Sequence, residues 1–287
     1  MATTRGLQLN QAELVSPVVL ITGATSGLGR AIAEAYAAAG AFVVAADLTP
    51  HPLVAPIFTE AMKQPGLDIS TPTVDLLNQT QPRAMFVHCD VTDSASVREA
   101  VVSTVRRYGR LDIMVNNAGI SAVTKSASFQ DGGRCRSHEV EDEVFDKDMA
   151  VNARGVWVGV KYAAAQYLEQ SPRASGDRGW IINICTAMGL VASAATASYC
   201  ASKGAVLQLT KATALDHAND RIHIICIDPG YIDTAMLEPM EAKAAEVRIR
   251  GLHPWGRMAL PEDVAGMAVF LTGPGTSFVV DGGYTTQ

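Results

Sequence analysis

The 287-residue sequence predicts an α/β fold, one domain built on a doubly wound parallel sheet with helices on both faces. Three observations predict it. Short β-rich runs alternate with helical patterns along most of the chain, those runs are apolar throughout, and no internal repeat or composition break marks a domain boundary. Runs that are apolar throughout mean strands buried on both faces, so the helices between them serve as crossovers. Crossovers of this kind are right-handed, which makes the sheet doubly wound.

The elements follow in order. PVVLIT (17–22) is the first strand, and the alanine-rich SGLGRAIAEAYAAAG (26–40) the helix after it. AFVVAAD (41–47) is the second strand and RAMFVHCDV (83–91) the third, separated by a Pro- and Thr-rich stretch, 48–82, that reads as an insertion. Ser94 signals the start of a helix over 94–109. LDIMVNNAG (111–119) is the fourth strand, followed by a second insertion at 121–140 and a long helix over 151–170. The acidic run Glu139–Glu143 reads as a solvated helix start, because no spaced His or Asp set accompanies it as metal ligands would require. GWIINIC (179–185) is the fifth strand, 198–218 a helix and RIHIICIDPG (221–230) the sixth strand. A helix near 261–271 precedes a last short run, SFVVDGG (277–283). Residues 1–16 form an N-terminal extension to the domain at 17–287.

Composition narrows the function classes. Hydrophobic residues make up 48% and charged residues 18%, enough for a large core and contrary to disorder. A net charge of −6 offers no basic surface for nucleic acid. Five cysteines form no CxxC and the six histidines no HxxxH, so reduced thiols and no metal site are expected. The N-terminal residues lack the apolar core of a signal peptide and no run reaches membrane-spanning length, so a cytoplasmic protein without membrane contact is expected.

In such a sheet, ligands bind outside the carboxyl ends of the strands. TGATSGLG (22–29) follows the first strand and opens a helix. Its glycines, Gly23, Gly27 and Gly29, allow a tight turn and close backbone approach, and the helix start around Ser26 and Leu28 offers N–H groups to a pyrophosphate. Asp47 ends the second strand, where a carboxylate accepts ribose hydroxyls and repels a 2′-phosphate; the bland alternative is a surface turn residue. Neither Ser26 nor Leu48 offers a cation to such a phosphate, so NAD is favoured over NADP. Asp90 and Val91 fall at the same edge, suited to adenine, and Asn117, Ala118 and Gly119 leave room for a flat ring and ribose.

At the other end, Tyr199 and Lys203 stand four apart on one face of an apolar, small-residue helix. Thr186 follows a buried strand, INIC, thirteen residues before Tyr199. Its hydroxyl either caps loose backbone groups at the strand end or touches a substrate.

TGATSGLG, NNAG, YCASK, the Asn152 of VNARG, PGYIDT (229–234) and the closing VDGG together resemble the classical short-chain dehydrogenase/reductase family over essentially residues 17–283. The resemblance implies a single Rossmann-type domain, a nicotinamide cofactor, and a homodimer or homotetramer packed through the helices at 151–170 and 198–218. It implies Tyr199 as catalytic acid/base and Lys203 as its charge partner and ribose ligand. Asn152 would hold a proton-relay water, and Thr186 would stand where the family carries a substrate-holding serine. It assigns Pro229, Ile232 and Thr234 to the nicotinamide half of the cofactor and 235–258 to a substrate lid. Met236, Leu237, Met240, Trp255 and Met258 would give that lid an apolar inner face, although such a stripe is more often plain core. The expected activity is NAD-dependent interconversion of a secondary alcohol and a ketone on a bulky, mostly apolar small molecule, favoured toward oxidation. The alternatives are an NADPH-dependent ketoreductase, a dinucleotide-binding scaffold and a non-redox enzyme on the same fold.

Overall fold

The computed structural model describes residues 16–52, 70–123, 136–234, 236, 251–271 and 277–280. Among them are seven strands in one parallel sheet: β1 (Val18–Thr22), β2 (Phe42–Asp47), β3 (Ala84–His88), β4 (Ile113–Asn116), β5 (Gly179–Ile184), β6 (Ile222–Pro229) and β7 (Ser277–Val280). Their order across the sheet is β3-β2-β1-β4-β5-β6-β7. The order reverses between β1 and β4, and that reversal opens a crevice at the carboxyl ends, where such sheets take their ligands.

The central strands β1, β4 and β5 are buried on both faces, and their successive residues serve opposite cores, whereas the edge strand β3 is only partly buried. On one side Ile21, Ile182 and Ile225 pack with α1 (Gly27–Ala38) and α7 (Pro261–Phe270). Tyr36 of α1 is fully buried there and donates its hydroxyl to Ala268 O at 2.7 Å. On the other side Leu20, Met114 and Ile181 pack with α3 (Ser94–Tyr108), α5 (Gly155–Glu169) and α6 (Ala197–Asp216). There Gly159 on α5 is required by close approach, since a Cβ would come within 1.9 Å of Asn116 Oδ1. The Asn116 amide in turn donates to Asn183 Oδ1, and Asn183 to the Thr210 hydroxyl, so a polar file crosses from β4 through β5 to α6 with its bonds satisfied.

Two expectations change. The cap of α3 is Asp93, whose carboxylate accepts from Ala95 N at 2.9 Å, and Ser94 is the first helical residue. A carboxylate one residue earlier outcompetes the serine as acceptor for the first-turn N–H groups. The helix expected at 151–170 is the later part of a longer rod. It begins as α4 (Asp142–Asp148), widens into a π-turn over Met149–Arg154 and continues as α5. Asp142 and Glu143 form the exposed first turn of α4, as a solvated start predicts. Within 48–82, α2 (Thr73–Asn78) closes the described part of the insertion; 53–69, like 1–15 and 124–135, lies outside the described residues. Of the expected lid at 235–258, Leu237 and Met240 also lie outside them, and Trp255 faces solvent with the Arg257 guanidinium 5.0 Å from its ring centroid.

Candidate active site

The candidate residues fall at the carboxyl edge of the sheet, in the loops that leave it, or on the helices beyond, with Asn152 in the π-turn and Tyr199 and Lys203 on α6. At the β1 end, Gly23 adopts φ +67°, and a Cβ on it would stand 2.9 Å from Ala118 Cα. A Cβ on Gly29 would come within 2.0 Å of Gly23 O, so no side chain fits between the turn and the helix it opens. Ser26 precedes α1 but its side chain makes no capping bond, which leaves the first-turn N–H groups of Gly27, Leu28 and Gly29 without the usual side-chain acceptor. Such an N-terminus suits a phosphate. The Thr234 side chain closes over this turn, with its Cγ2 3.5 Å from where a Cβ of Gly27 would be. The loop after β6 thereby reaches the loop after β1, and Ile232 and Asp233 are held in place by pairing with Ala259.

Asp47 is half-buried at the end of β2. Its Oδ2 accepts from Thr25 N at 3.1 Å and from the Thr25 hydroxyl at 2.7 Å, and its Oδ1 accepts from Leu48 N at 2.8 Å. The carboxylate is thus fixed by the glycine-rich loop itself. Asp90 behaves differently: its Oδ1 accepts from Thr92 N and Thr92 Oγ1 in a closed local turn. Val91 seats its side chain against Gly155, where a Cβ would be 3.0 Å from Val91 Cγ2. Asn117 donates its amide to Thr22 O and Gly23 O, and the backbone N–H groups of Asn117 and Ala118 both reach Thr22 Oγ1 at 3.1 Å. These bonds pin the β4 loop beside the β1 turn.

The chemical end converges on Gly119. A Cβ there would lie 3.3 Å from Asn152 Oδ1 and 3.5 Å from Lys203 Nζ. Lys203 is buried and donates to Ile184 O at 2.9 Å, with its ammonium 6.0 Å from the Tyr199 ring centroid. An ammonium carries three donors, so one bond to a carbonyl leaves capacity for a ligand. Asn152 sits in the π-turn, fully buried; its Oδ1 accepts from Ile120 N at 2.8 Å, and its amide donates to Ile120 O and to Ser202 Oγ. π-turns recur at functional sites because the wider turn takes backbone groups out of the ordinary helical register.

Burial pushes the Tyr199 phenol above its ordinary value, and Cys185, Asp148, Cys200 and Tyr231 push in the same direction. Burial pushes the Lys203 ammonium down, opposed by Cys185, Cys226, Asp228 and Asp148. Both groups are therefore biased toward their neutral forms by desolvation, which penalises charge. Thr186 has its hydroxyl in use: it donates to Pro229 O at 3.1 Å and accepts from Met188 N at 3.5 Å, capping the short turn Ala187–Gly189. The bonds of the capping role are present, and the residue also stands at the mouth of β5 beside the Tyr199 helix.

Cys185, Cys226 and Asp228 present possible metal-ligand atoms within 4.8 Å of one another, all buried. The Cys226 thiol is held strongly protonated, first by its contact with Cys185 and then by burial, and it donates to Asp228 Oδ1 at 3.4 Å. A protonated thiol is a poor ligand, since metals bind the thiolate.

Sequence reasoning missed Thr25, which aims Asp47, and three side chains around the π-turn: Asp148, the neighbour of Asn152 one turn earlier, with Ser198 and Ser202 opposite. The signal was present as matched four-residue spacings, Asp148/Asn152 and Ser198/Ser202, on two helices.

Comparison with known proteins agrees with this architecture. A model of the family described as short chain dehydrogenase matches residues 17–245. A 2-(R)-hydroxypropyl-CoM dehydrogenase of Xanthobacter autotrophicus is 31% identical, with 94% of this chain and 99% of that protein aligned. A 3-oxoacyl-[acyl-carrier-protein] reductase FabG of Thermotoga maritima is also 31% identical, over 94% of this chain and 98% of the relative. The crystal structure of a short-chain type dehydrogenase/reductase from Mycobacterium marinum superposes with a TM-score of 0.77 at 29% identity, covering 94% of this chain and 96% of the other. Among the described residues, no helix is long and apolar enough to cross a membrane.

Proposed function

The chain belongs to the short-chain dehydrogenase family, and on that premise we propose that it is an NAD-dependent oxidoreductase interconverting a secondary alcohol and a ketone, favoured toward oxidation. The observation that carries this reading is the convergence of Asn152 and Lys203 on Gly119 beside Tyr199. In oxidation, the Tyr199 phenolate takes the alcohol proton as the C–H hydride leaves; in reduction the phenol returns it. Bound NAD⁺ supplies the hydride acceptor and a positive charge. The Lys203 ammonium, 6.0 Å from the Tyr199 ring centroid, favours the phenolate against the burial that opposes it, and its remaining donors suit ribose hydroxyls. Thr186 serves the substrate oxygen if its hydroxyl turns from Pro229 O, exchanging one hydrogen bond for another. Asn152, with its side chain committed to Ile120 and Ser202, would hold a relay water through its backbone carbonyl.

NAD is favoured over NADP because Asp47 places a fixed carboxylate at the end of β2, where it suits ribose hydroxyls and repels a phosphate. Gly23, Gly27 and Gly29 with the α1 start would hold the pyrophosphate. Asn117, Ala118 and Gly119 would flank the nicotinamide ribose, and Pro229, Ile232 and Thr234 the nicotinamide. Asp90 and Val91 would border the adenine from a side, since their side chains are engaged with Thr92 and Gly155.

A bulky, mostly apolar substrate fits the exposed Leu190 and Val191 in the loop after Thr186. Exposed Trp157 and Leu168 on α5 and Leu215 on α6 suit an oligomer packed through those helices. The test is absorbance at the reduced-nicotinamide wavelength with secondary alcohols of graded size, offered NAD⁺ and NADP⁺ separately. Turnover with NAD⁺ rising with alcohol size is expected. A preference for NADP⁺ at equal concentration would refute the cofactor assignment, and binding without turnover would favour a scaffold.

A further inference from the structure

Asp148 is the one fully buried carboxylate on the face of the rod that meets the tyrosine helix among the described residues, and the chemistry above does not use it. Its surroundings repeat those of Asn152 one turn away. Asp148 Oδ1 accepts from Ala122 N at 2.8 Å, as Asn152 Oδ1 accepts from Ile120 N at 2.8 Å. Asp148 Oδ2 accepts from the Ser198 hydroxyl at 2.6 Å, and the Asn152 amide donates to Ser202 Oγ at 3.0 Å. The two rungs thus join the same three elements: the loop after β4, the rod at its π-turn, and α6. Ser198 directly precedes Tyr199, and the Ser202 hydroxyl donates to Tyr199 O at 2.8 Å. Tyr199 is flanked on both sides by residues that the ladder fixes.

We propose that Asp148 is a positioning residue for the tyrosine chemistry: its carboxylate clamps Ser198 of α6, the residue before Tyr199, to Ala122 of the β4 loop, and its negative charge disfavours the Tyr199 phenolate. This rests on the proposed role of Tyr199 as acid/base.

The clamp follows from donor and acceptor inventory. A carboxylate offers two acceptor oxygens, and here each holds a donor from a different element, a bridge that no apolar side chain could make. Burial raises the Asp148 carboxyl, while the Ser198 hydroxyl, the Ala122 and Val123 N–H groups and Lys203 oppose the rise. The groups facing Tyr199 are Cys200 and Lys203 on α6, Cys185 after β5, Tyr231 after β6, and Asp148. Asp148 is the carboxylate of this set. A negative charge beside a phenol disfavours phenolate, so Asp148 raises the pH at which Tyr199 loses its proton. Asp228 supports the Lys203 ammonium alongside Asp148.

Three variants separate clamp from charge. Asp148→Asn can keep both rungs, with its oxygen on Ala122 N and its amide on Ser198 Oγ, while losing the charge. Ser198→Ala keeps the charge and opens one rung. Asp148→Ala loses both. Alcohol oxidation uses the phenolate, so kcat/KM rises with pH. The rising limb is expected about half a pH unit or more lower in Asp148→Asn, unmoved in Ser198→Ala, with kcat down roughly threefold to tenfold in Ser198→Ala and further in Asp148→Ala. A second readout needs no substrate: Tyr199 is titrated by NMR in the ligand-free protein carrying ¹³C-labelled tyrosine, and the same downward shift is expected in Asp148→Asn. That measurement stands even if no alcohol is turned over, so failure of the proposed activity and failure of the Asp148 role are separable. An unchanged Tyr199 titration in folded Asp148→Asn would overturn the charge role. Wild-type kcat together with unaltered exchange of the Ala122 amide in folded Asp148→Ala would overturn the clamp.

Discussion

The two ends of the sheet edge are built from different materials. The end between β1 and β2 is made of backbone: Gly23 and Gly29 fit because no Cβ can, and the first-turn N–H groups of α1 have no side-chain cap from Ser26. The end beyond β4 and β5 is made of side chains buried in one another, with Asn152, Lys203, Asp148, Ser198 and Ser202 each bonded across elements. A backbone site tolerates changes around it and fails at its glycines. A side-chain site distributes its geometry over residues that never touch a ligand, so loss at one position propagates to its neighbours.

The largest effect is expected at the side-chain end. Tyr199→Phe keeps the ring and its packing but removes the proposed proton carrier, so kcat should fall by about 10³–10⁴ while NAD⁺ affinity measured by calorimetry changes little. The pH-dependent limb of kcat/KM should also vanish, because the group that titrates is gone. Unchanged turnover would remove Tyr199 from the chemistry.

Thr186 belongs to both ends in character, being a backbone cap and a candidate substrate donor. Thr186→Val deletes the bonds to Pro229 O and Met188 N, so a stability loss of about 1 kcal/mol is expected whichever role holds. The roles part in the folded protein's turnover: a donor to the substrate oxygen predicts a kcat loss of about 10²–10³, with Thr186→Ser remaining active. A folded valine variant with wild-type kcat on its true substrate would assign Thr186 to capping alone.

The contrast also explains what was legible in the sequence. The alternation of apolar runs with helices places β1 to β6, because burial on both faces leaves its mark along the central strands, while the edge strand β3 is only partly buried. The glycine turn was legible because it follows a strand and opens a helix, and Tyr199 and Lys203 because YCASK joins the other motifs in resembling the family, the pair on one helix face deciding nothing alone. Asp148 was not, since a carboxylate in an acidic helix resembles its exposed neighbours Asp142 and Glu143 until packing shows it fully buried. The π-turn was not legible either, because no residue type marks a change from i→i+4 to i→i+5 bonding. The cap at Asp93 in place of Ser94 was a local competition between two good acceptors, which sequence leaves open by one residue.

At the backbone end the expected effects are smaller. Asp47→Ala removes the proposed ribose acceptor and, with it, the proposed repulsion of a 2′-phosphate, so NAD⁺ affinity should fall about tenfold or more while NADP⁺ falls less or improves. Equal losses for the two cofactors would mean that Asp47 shapes the turn without reading the ribose.

The smallest effect tests how far backbone alone accounts for that end. Thr25 is buried and gives Asp47 Oδ2 two donors, its hydroxyl at 2.7 Å and its own N–H at 3.1 Å. Thr25→Val keeps the shape and the N–H but removes the hydroxyl, and the Thr73 bond to Thr25 O at 3.3 Å has a backbone acceptor that survives the change. With Oδ2 still tied to Thr25 N and Oδ1 to Leu48 N, the carboxylate keeps two of its three bonds. NAD⁺ affinity should therefore fall about twofold to fivefold, less than in Asp47→Ala, with kcat unchanged. A loss as large as that of Asp47→Ala would show that the side-chain hydroxyl sets the carboxylate, making the cofactor end as dependent on buried side chains as the chemical end.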